Sequence, residues 1–201
     1  MVEKKGIKRI AIFASGKGSN AEKIIHYFSG LSDQVEISLI VCNKPEAGVL
    51  DIARKKNIPY LVIDKEKFFR GNGYVDELKE RRIDFIVLAG FLWKIPQTLI
   101  RSYQDKIVNI HPALLPAYGG KGMYGHHVHE AVIAAGDKES GISIHLVDEL
   151  YDHGRILFQA KYKLSENETP ESLAAQINKL EHSHYPRVIA ALMGIKNIVK
   201  S

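Results

Sequence analysis

The segment Asn109-Ile110-His111-Pro112-Ala113-Leu114-Leu115-Pro116 sets an amide and an imidazole one residue apart at the end of an apolar run. Side chains alternate along a strand, so Asn109 and His111 share a face while Ile110 turns away. An amide N–H and an imidazole aimed together can stabilise a developing oxyanion and deliver a proton. Pro112 then keeps the strand from continuing inside a sheet. The plainer reading, a capped strand end with a satisfied histidine, suits a lone histidine better than this pair with prolines after it. A second constellation, Gly16-Lys17-Gly18-Ser19-Asn20-Ala21, follows the first apolar run. Its glycines permit a tight turn, and the helix N-terminus beyond them offers free N–H groups to an anion. The Ser19 hydroxyl and the Asn20 amide add donors, so a phosphate is the natural guest. The spacing also satisfies the dinucleotide pattern G-x-G-x-x-A. A NAD site, however, expects an acid at the end of the second strand, where this chain has Cys42-Asn43-Lys44. NAD is thereby disfavoured and NADP stays open.

A carboxylate beside His111 would favour the imidazolium and fix its orientation. The stretch Asp148-Glu149-Leu150-Tyr151-Asp152-His153-Gly154 supplies Asp148, Glu149 and Asp152 as candidates, and spacing does not choose among them. His126, His127 and His129 are spaced as transition-metal ligands can be, with Asp152 or His153 to complete a set. There is no second thiol and no H-E-x-x-H, so hydrogen bonding to an anionic ligand is the favoured role for these histidines. Glu181-His182-Ser183-His184-Tyr185-Pro186 falls at an expected helix break, where polar side chains can reach a ligand or simply face solvent.

Apolar runs alternating with amphipathic stretches must carry these residues. Strands are expected over 7–14, 35–42, 59–63, 84–89 and 107–110, and helices over 19–28, 46–56 and 74–82. The near-continuous apolar character of 84–89 marks a central strand buried on both faces. This βαβα order predicts a single α/β domain over 1–201, a doubly wound, mainly parallel, Rossmann-like sheet with helices on both faces. From Pro112 to Gly125, prolines and glycines build a long irregular segment of the kind that is usually functional. Strands 141–147 and 156–163 then form a hairpin or a crossing pair. Thr169-Pro170-Glu171 opens a helix expected to reach about Ser183, with a second helical piece starting at Pro186.

Composition narrows the class. With 201 residues, 45% hydrophobic and 25% charged, the chain has a soluble globular profile and enough length for a full core. Cys42 is the only cysteine, so no internal disulfide is available and a cytoplasmic setting is expected. No apolar run approaches the roughly 20 residues that a membrane helix needs. The net charge of +5 suits an anionic small molecule. Basic residues interleave with acids rather than forming a face, which argues against nucleic acid.

Taken together, these segments resemble the folate-dependent formyltransferases over essentially the whole chain, and within them the glycinamide ribonucleotide branch. Asn109-Ile110-His111-Pro112 with Leu114-Leu115-Pro116 is the most specific shared element. Gly16-Lys17-Gly18-Ser19-Asn20 is similar to that branch's phosphate loop. The resemblance implies a single formyltransferase domain that takes 10-formyltetrahydrofolate as co-substrate, with no metal, and glycinamide ribonucleotide as acceptor. It implies small-molecule partners only, and a monomer or homodimer. It places the catalytic acid at Asp152, beside Asn109 as oxyanion stabiliser and His111 as general acid kept charged. It assigns Gly18, Ser19 and Asn20 to the substrate phosphate, and Asn178 and Glu181 to the sugar or glycinamide end. Arg70, Leu92, Trp93, Lys94, Ile95 and Asn109 fall on the folate side. The usual small residue after the acid is His153 here, and the 119–125 stretch departs from the common loop. A formyltetrahydrofolate hydrolase is the alternative within the fold, and a dinucleotide-binding oxidoreductase the alternative outside it.

Overall fold

Runs rich in Ile, Val and Phe become strands because β-branched and aromatic side chains pack well on a pleated surface. A computed structural model describes residues 6–195. Strands β1 (Lys8–Ala14), β2 (Val35–Cys42), β3 (Tyr60–Val62), β4 (Phe85–Leu88) and β5 (Ile107–His111) alternate with helices α1 (Ser19–Ser29), α2 (Val49–Lys55), α3 (Lys65–Arg70), α4 (Val75–Glu80) and α5 (Gln97–Ser102). Helix α6 (His126–Ala134), strands β6 (Glu139–Leu146) and β7 (Ile156–Lys163), and helix α7 (Pro170–Leu192) complete the order. One seven-stranded sheet runs β3-β2-β1-β4-β5-β6-β7. The β1–β5 portion is parallel, whereas β6 lies antiparallel to β5 and β7 antiparallel to β6. The last two strands are therefore a hairpin, one of the two arrangements expected. The doubly wound, mainly parallel sheet is as the sequence predicts.

Alternation along the central strands sends apolar side chains to both faces. Ile10, Ile12, Ile40, Val87, Val108 and Ile110 join one core, packed by α1, α2 and α7. Ala11, Phe13, Leu39, Ile86, Leu88 and Ile107 join the other, packed by α3, α4 and α5. Strand order reverses between β1 and β4, and open α/β sheets bind ligands beyond the carboxyl ends of strands at such a point. Among the described residues no helix is long and apolar enough to cross a membrane.

The C-terminal helix corrects an expectation. No break occurs near Ser183: α7 continues through Pro186 to Leu192. An interior proline removes a hydrogen bond and costs about 3 kcal/mol. Burial of Tyr185, Pro186, Ile189 and Ala190 holds the helix together across it. The Tyr185 hydroxyl also donates toward the Leu88 and Val108 carbonyls at 2.9 and 3.0 Å. At the other end, Thr169 forms a reciprocal capping box with Ser172. Helix α6 likewise emerges from the segment rich in histidine and glycine. Six of its nine residues are His, Val or Ile, which are weak helix formers, and burial of Val128, His129 and Val132 secures it.

Candidate active site

Pairing of β5 with β6 sets Asn109 opposite His145 and His111 opposite Ser143. The His145 Nδ1 lies 2.8 Å from the Leu146 carbonyl. A carbonyl only accepts, so Nδ1 carries the hydrogen and Nε2 is the acceptor in the neutral ring. Asn109 Nδ2 donates to that Nε2 at 3.1 Å, and its other hydrogen points toward Asp152 Oδ1 at 3.5 Å. Asp152 comes from the turn between β6 and β7, where its φ of 52° places it in left-handed backbone. Its carboxylate stands 3.6 Å from both His111 Nδ1 and His145 Nε2, with all three side chains at most 11% exposed. Burial pushes the Asp152 carboxyl up. The neighbouring His145 and His111 imidazoles and the Gly120 N–H outweigh that and hold it below its ordinary value.

The other acids in that turn are engaged elsewhere. Asp148 pairs with His153 at 2.8 Å and accepts from the Leu150 N–H, and Glu149 accepts from Gln97 at 2.6 Å. Geometry thus singles out Asp152 from the candidates that spacing leaves equal. His111 itself donates from Nε2 to the Tyr118 carbonyl at 2.7 Å. Its pKa lies below the ordinary imidazole value, because burial outweighs the opposing pull of Asp152 and the Tyr118 carbonyl. Gly119 follows Tyr118 closely against the site: a Cβ there would meet Leu115 at 2.7 Å and Asp152 at 3.4 Å. Gly120 then donates its N–H to Asp152 Oδ2 at 3.0 Å.

The glycine turn before α1 borders the same space through Gly16 and Asn20. Gly18 has φ +83°, and a Cβ on it would lie 2.9 Å from Val49 and Ile52, so α2 packs where only glycine fits. Beyond it α1 begins at Ser19, presenting backbone N–H groups that have no partner within the helix. Asn20 Nδ2 donates to Glu181 Oε2 at 2.7 Å, which joins two predicted site residues from opposite ends of the chain. Burial pushes the Glu181 carboxyl up to about 7, against the Asn20 hydrogen bond.

A cavity of about 830 Å³ connects these parts. Gly16, Asn20, Asn178 and Glu181 line it, whereas Gly18 and Ser19 are not among its lining residues. Asn109, His111, His145 and Asp152 line it as well, and Leu92, Trp93 and Ile95 add apolar surface interrupted by Lys94. Trp93 packs with Phe68, Phe69 and Phe91. Lys44 rather than an acid lines the cavity beyond β2, so the ribose-binding carboxylate of a NAD site has no counterpart there. Arg70 is not brought to the cavity; its exposed guanidinium pairs with Glu66 on α3 at 3.1 Å. His126 lies within 3.6 Å of both Glu130 and Glu171, and His127 pairs with Glu130 at 3.2 Å.

Comparison with known proteins now separates the alternatives. A family model described as formyl transferase matches residues 8–189. The chain belongs to that family. It is 44% identical over 92% of its length to a chloroplastic phosphoribosylglycinamide formyltransferase of Arabidopsis thaliana, of which it spans 65%. It is 36% identical over 95% of its length to the phosphoribosylglycinamide formyltransferase of Bacillus subtilis, of which it spans 97%. A crystal structure of phosphoribosylglycinamide formyltransferase from Bacillus halodurans superimposes with a TM-score of 0.85 at 38% identity, covering 96% of this chain and all of that one. In this family member, sequence reasoning missed His145 and the backbone of Tyr118 and Gly120 as parts of the site. His145 lies far from Asn109 in sequence, and only the antiparallel β5–β6 register joins them. The backbone groups leave no side-chain signal at all.

Proposed function

We propose that this formyl transferase family member moves the formyl group of 10-formyltetrahydrofolate onto the amine of glycinamide ribonucleotide, a reaction of purine synthesis. One observation carries the reading: the glycine turn at the start of α1, through Gly16 and Asn20, and the Asn109–His111–Asp152 cluster open into one cavity that Leu92, Trp93 and Ile95 also line. The relatives' names support the same reaction. The turn at Gly18, Ser19 and Asn20 takes the substrate phosphate, Asn178 and Glu181 take the sugar or glycinamide end, and the Leu92–Ile95 wall takes the folate. A hydrolase has no use for the phosphate turn, which counts against that alternative. We place the protein in the cytoplasm, where a lone buried Cys42 stays reduced.

The neutral amine attacks the formyl carbon, and the carbonyl oxygen becomes negative. Asn109 meets that oxygen with the hydrogen now directed at Asp152, because a 3.5 Å contact is the weaker of its two. His111 Nδ1, whose 3.6 Å gap to Asp152 is too long for a hydrogen bond, accepts the surplus proton from the attacking nitrogen. The imidazolium so formed is stabilised by ionised Asp152 and by the oxyanion. It then returns the proton to the folate nitrogen as the carbon–nitrogen bond to the folate breaks. The protons balance without a covalent enzyme intermediate. An isotope-labelled formyl group on the folate tests this: the label should appear on the amine of the ribonucleotide. Recovery of all label as free formate would overturn the proposal in favour of hydrolysis.

A further inference from the structure

Tyr118 touches the catalytic cluster with its backbone and something quite different with its side chain. Its carbonyl accepts from His111 Nε2 at 2.7 Å, while its hydroxyl donates to Asp137 Oδ2 at 2.6 Å, just past the end of α6. Its backbone is left-handed, with φ 55°, a conformation uncommon for a non-glycine residue. Asp152, the other group facing His111, is also left-handed, and Gly120 of the Tyr118 turn donates to it. One short turn therefore fixes both partners of the imidazole.

The consequence is chemical. A histidine whose Nε2 is tied to a carbonyl must keep its hydrogen there, which leaves Nδ1 as the basic atom of the neutral ring. We propose that the Tyr118–Asp137 hydrogen bond is a tautomer lock: it holds the Tyr118 carbonyl in place so that His111 presents Nδ1, and not Nε2, to the reaction. Tyr118 and Asp137 are then positioning residues that act through His111. The proposal deepens the formyl-transfer reading and rests on it for its effect on turnover. The groups facing His111 are Asp152 and His145 from the β6–β7 side, Asn109 on its own strand, and His129 from α6. Asp137 lies at the other end of Tyr118 and acts on His111 only through the position of the carbonyl.

The test combines kinetics with nitrogen NMR of the imidazoles, the His111 signals being assigned by their loss in His111→Gln. In the parent protein, His111 should show a protonated Nε2 and an unprotonated Nδ1. Tyr118→Phe keeps the ring and removes the lock. It should mix the tautomers, lower kcat roughly three- to tenfold, the worth of one hydrogen bond, and leave both KM values within about twofold. It should also shift the acidic limb of the kcat–pH profile. Asp137→Ala should repeat these changes, Asp137→Asn should restore them because its amide oxygen still accepts, and combining Tyr118→Phe with Asp137→Ala should add nothing further. Unchanged His111 signals and an unchanged pH profile in both Tyr118→Phe and Asp137→Ala would overturn the proposal. So would an equal proportional loss of rate when Tyr118→Phe is placed in a His111→Gln background. The NMR measurement needs no turnover. Failure of the parent to transfer a formyl group would strike the function, whereas an unmoved tautomer would strike the lock.

Discussion

At the scale of single residues, the account divides labour between an oxyanion donor and a proton carrier. Removing one preorganised oxyanion donor costs roughly 10²- to 10³-fold in turnover. Asn109→Ala should therefore lose that much kcat while keeping its thermal transition close to that of the parent, as calorimetry and steady-state rates will show. Retention of parental kcat would remove Asn109 from the chemistry. The proposed mechanism uses neutral His111 as the proton acceptor, so kcat at saturating substrates should rise with pH through a value below the ordinary imidazole pKa, where burial holds it. Asp152→Asn removes the charge that raises this pKa, so the limb should move to lower pH, and kcat should fall by about 10²-fold or more. A limb that stays in place would show that another group titrates there. Much at this scale was legible beforehand. Alternation alone put Asn109 and His111 on one face, because that rule depends only on neighbours in the chain. The choice of Asp152 over Asp148 and Glu149 came from the resemblance, since it depends on where His153 and Gln97 sit and not on spacing.

At the scale of elements, parallel strands deliver the site and α7 braces it. Val35–Cys42 and Ile156–Lys163 were readable to the residue, since their patterns are bounded by clear changes of composition. Helix α6 and the unbroken α7 were not readable, because tertiary burial overrides weak propensity in the first and an interior proline in the second. Tyr185 is where that burial becomes specific, its hydroxyl joining the helix to Leu88 at the carboxyl end of β4 and to Val108 in β5, the residue before Asn109. Tyr185→Phe keeps the packed ring and removes the hydroxyl donor. It should lower unfolding stability by about 1–3 kcal/mol, seen as an earlier denaturant midpoint at unchanged slope. An unmoved midpoint would mean that α7 is held by apolar burial alone.

At the scale of the whole molecule, residues from both ends of the chain meet across the cavity, and this sets a pH dependence of stability. Glu181 titrates at 4.5 when unperturbed and at about 7 in the fold. A raised acid stabilises the folded state fully below its unfolded pKa. As pH climbs from 4.5 to about 7 the unfolded chain releases a proton that the fold retains, and stability falls; above about 7 the penalty is constant. Glu181→Gln keeps an oxygen for Asn20 and carries no charge. Its stability relative to the parent should therefore grow across that window by up to about 3 kcal/mol, measured as denaturant midpoints at several pH values. Parallel pH curves for the two proteins would contradict the assignment.

The central claim concerns which acceptor receives the formyl group. The most direct measurement follows folate release from 10-formyltetrahydrofolate by the purified protein, with and without glycinamide ribonucleotide. The account expects rapid release only when the ribonucleotide is present, one folate freed for each amine formylated. Release at the same rate without the ribonucleotide would contradict it and identify water as the acceptor.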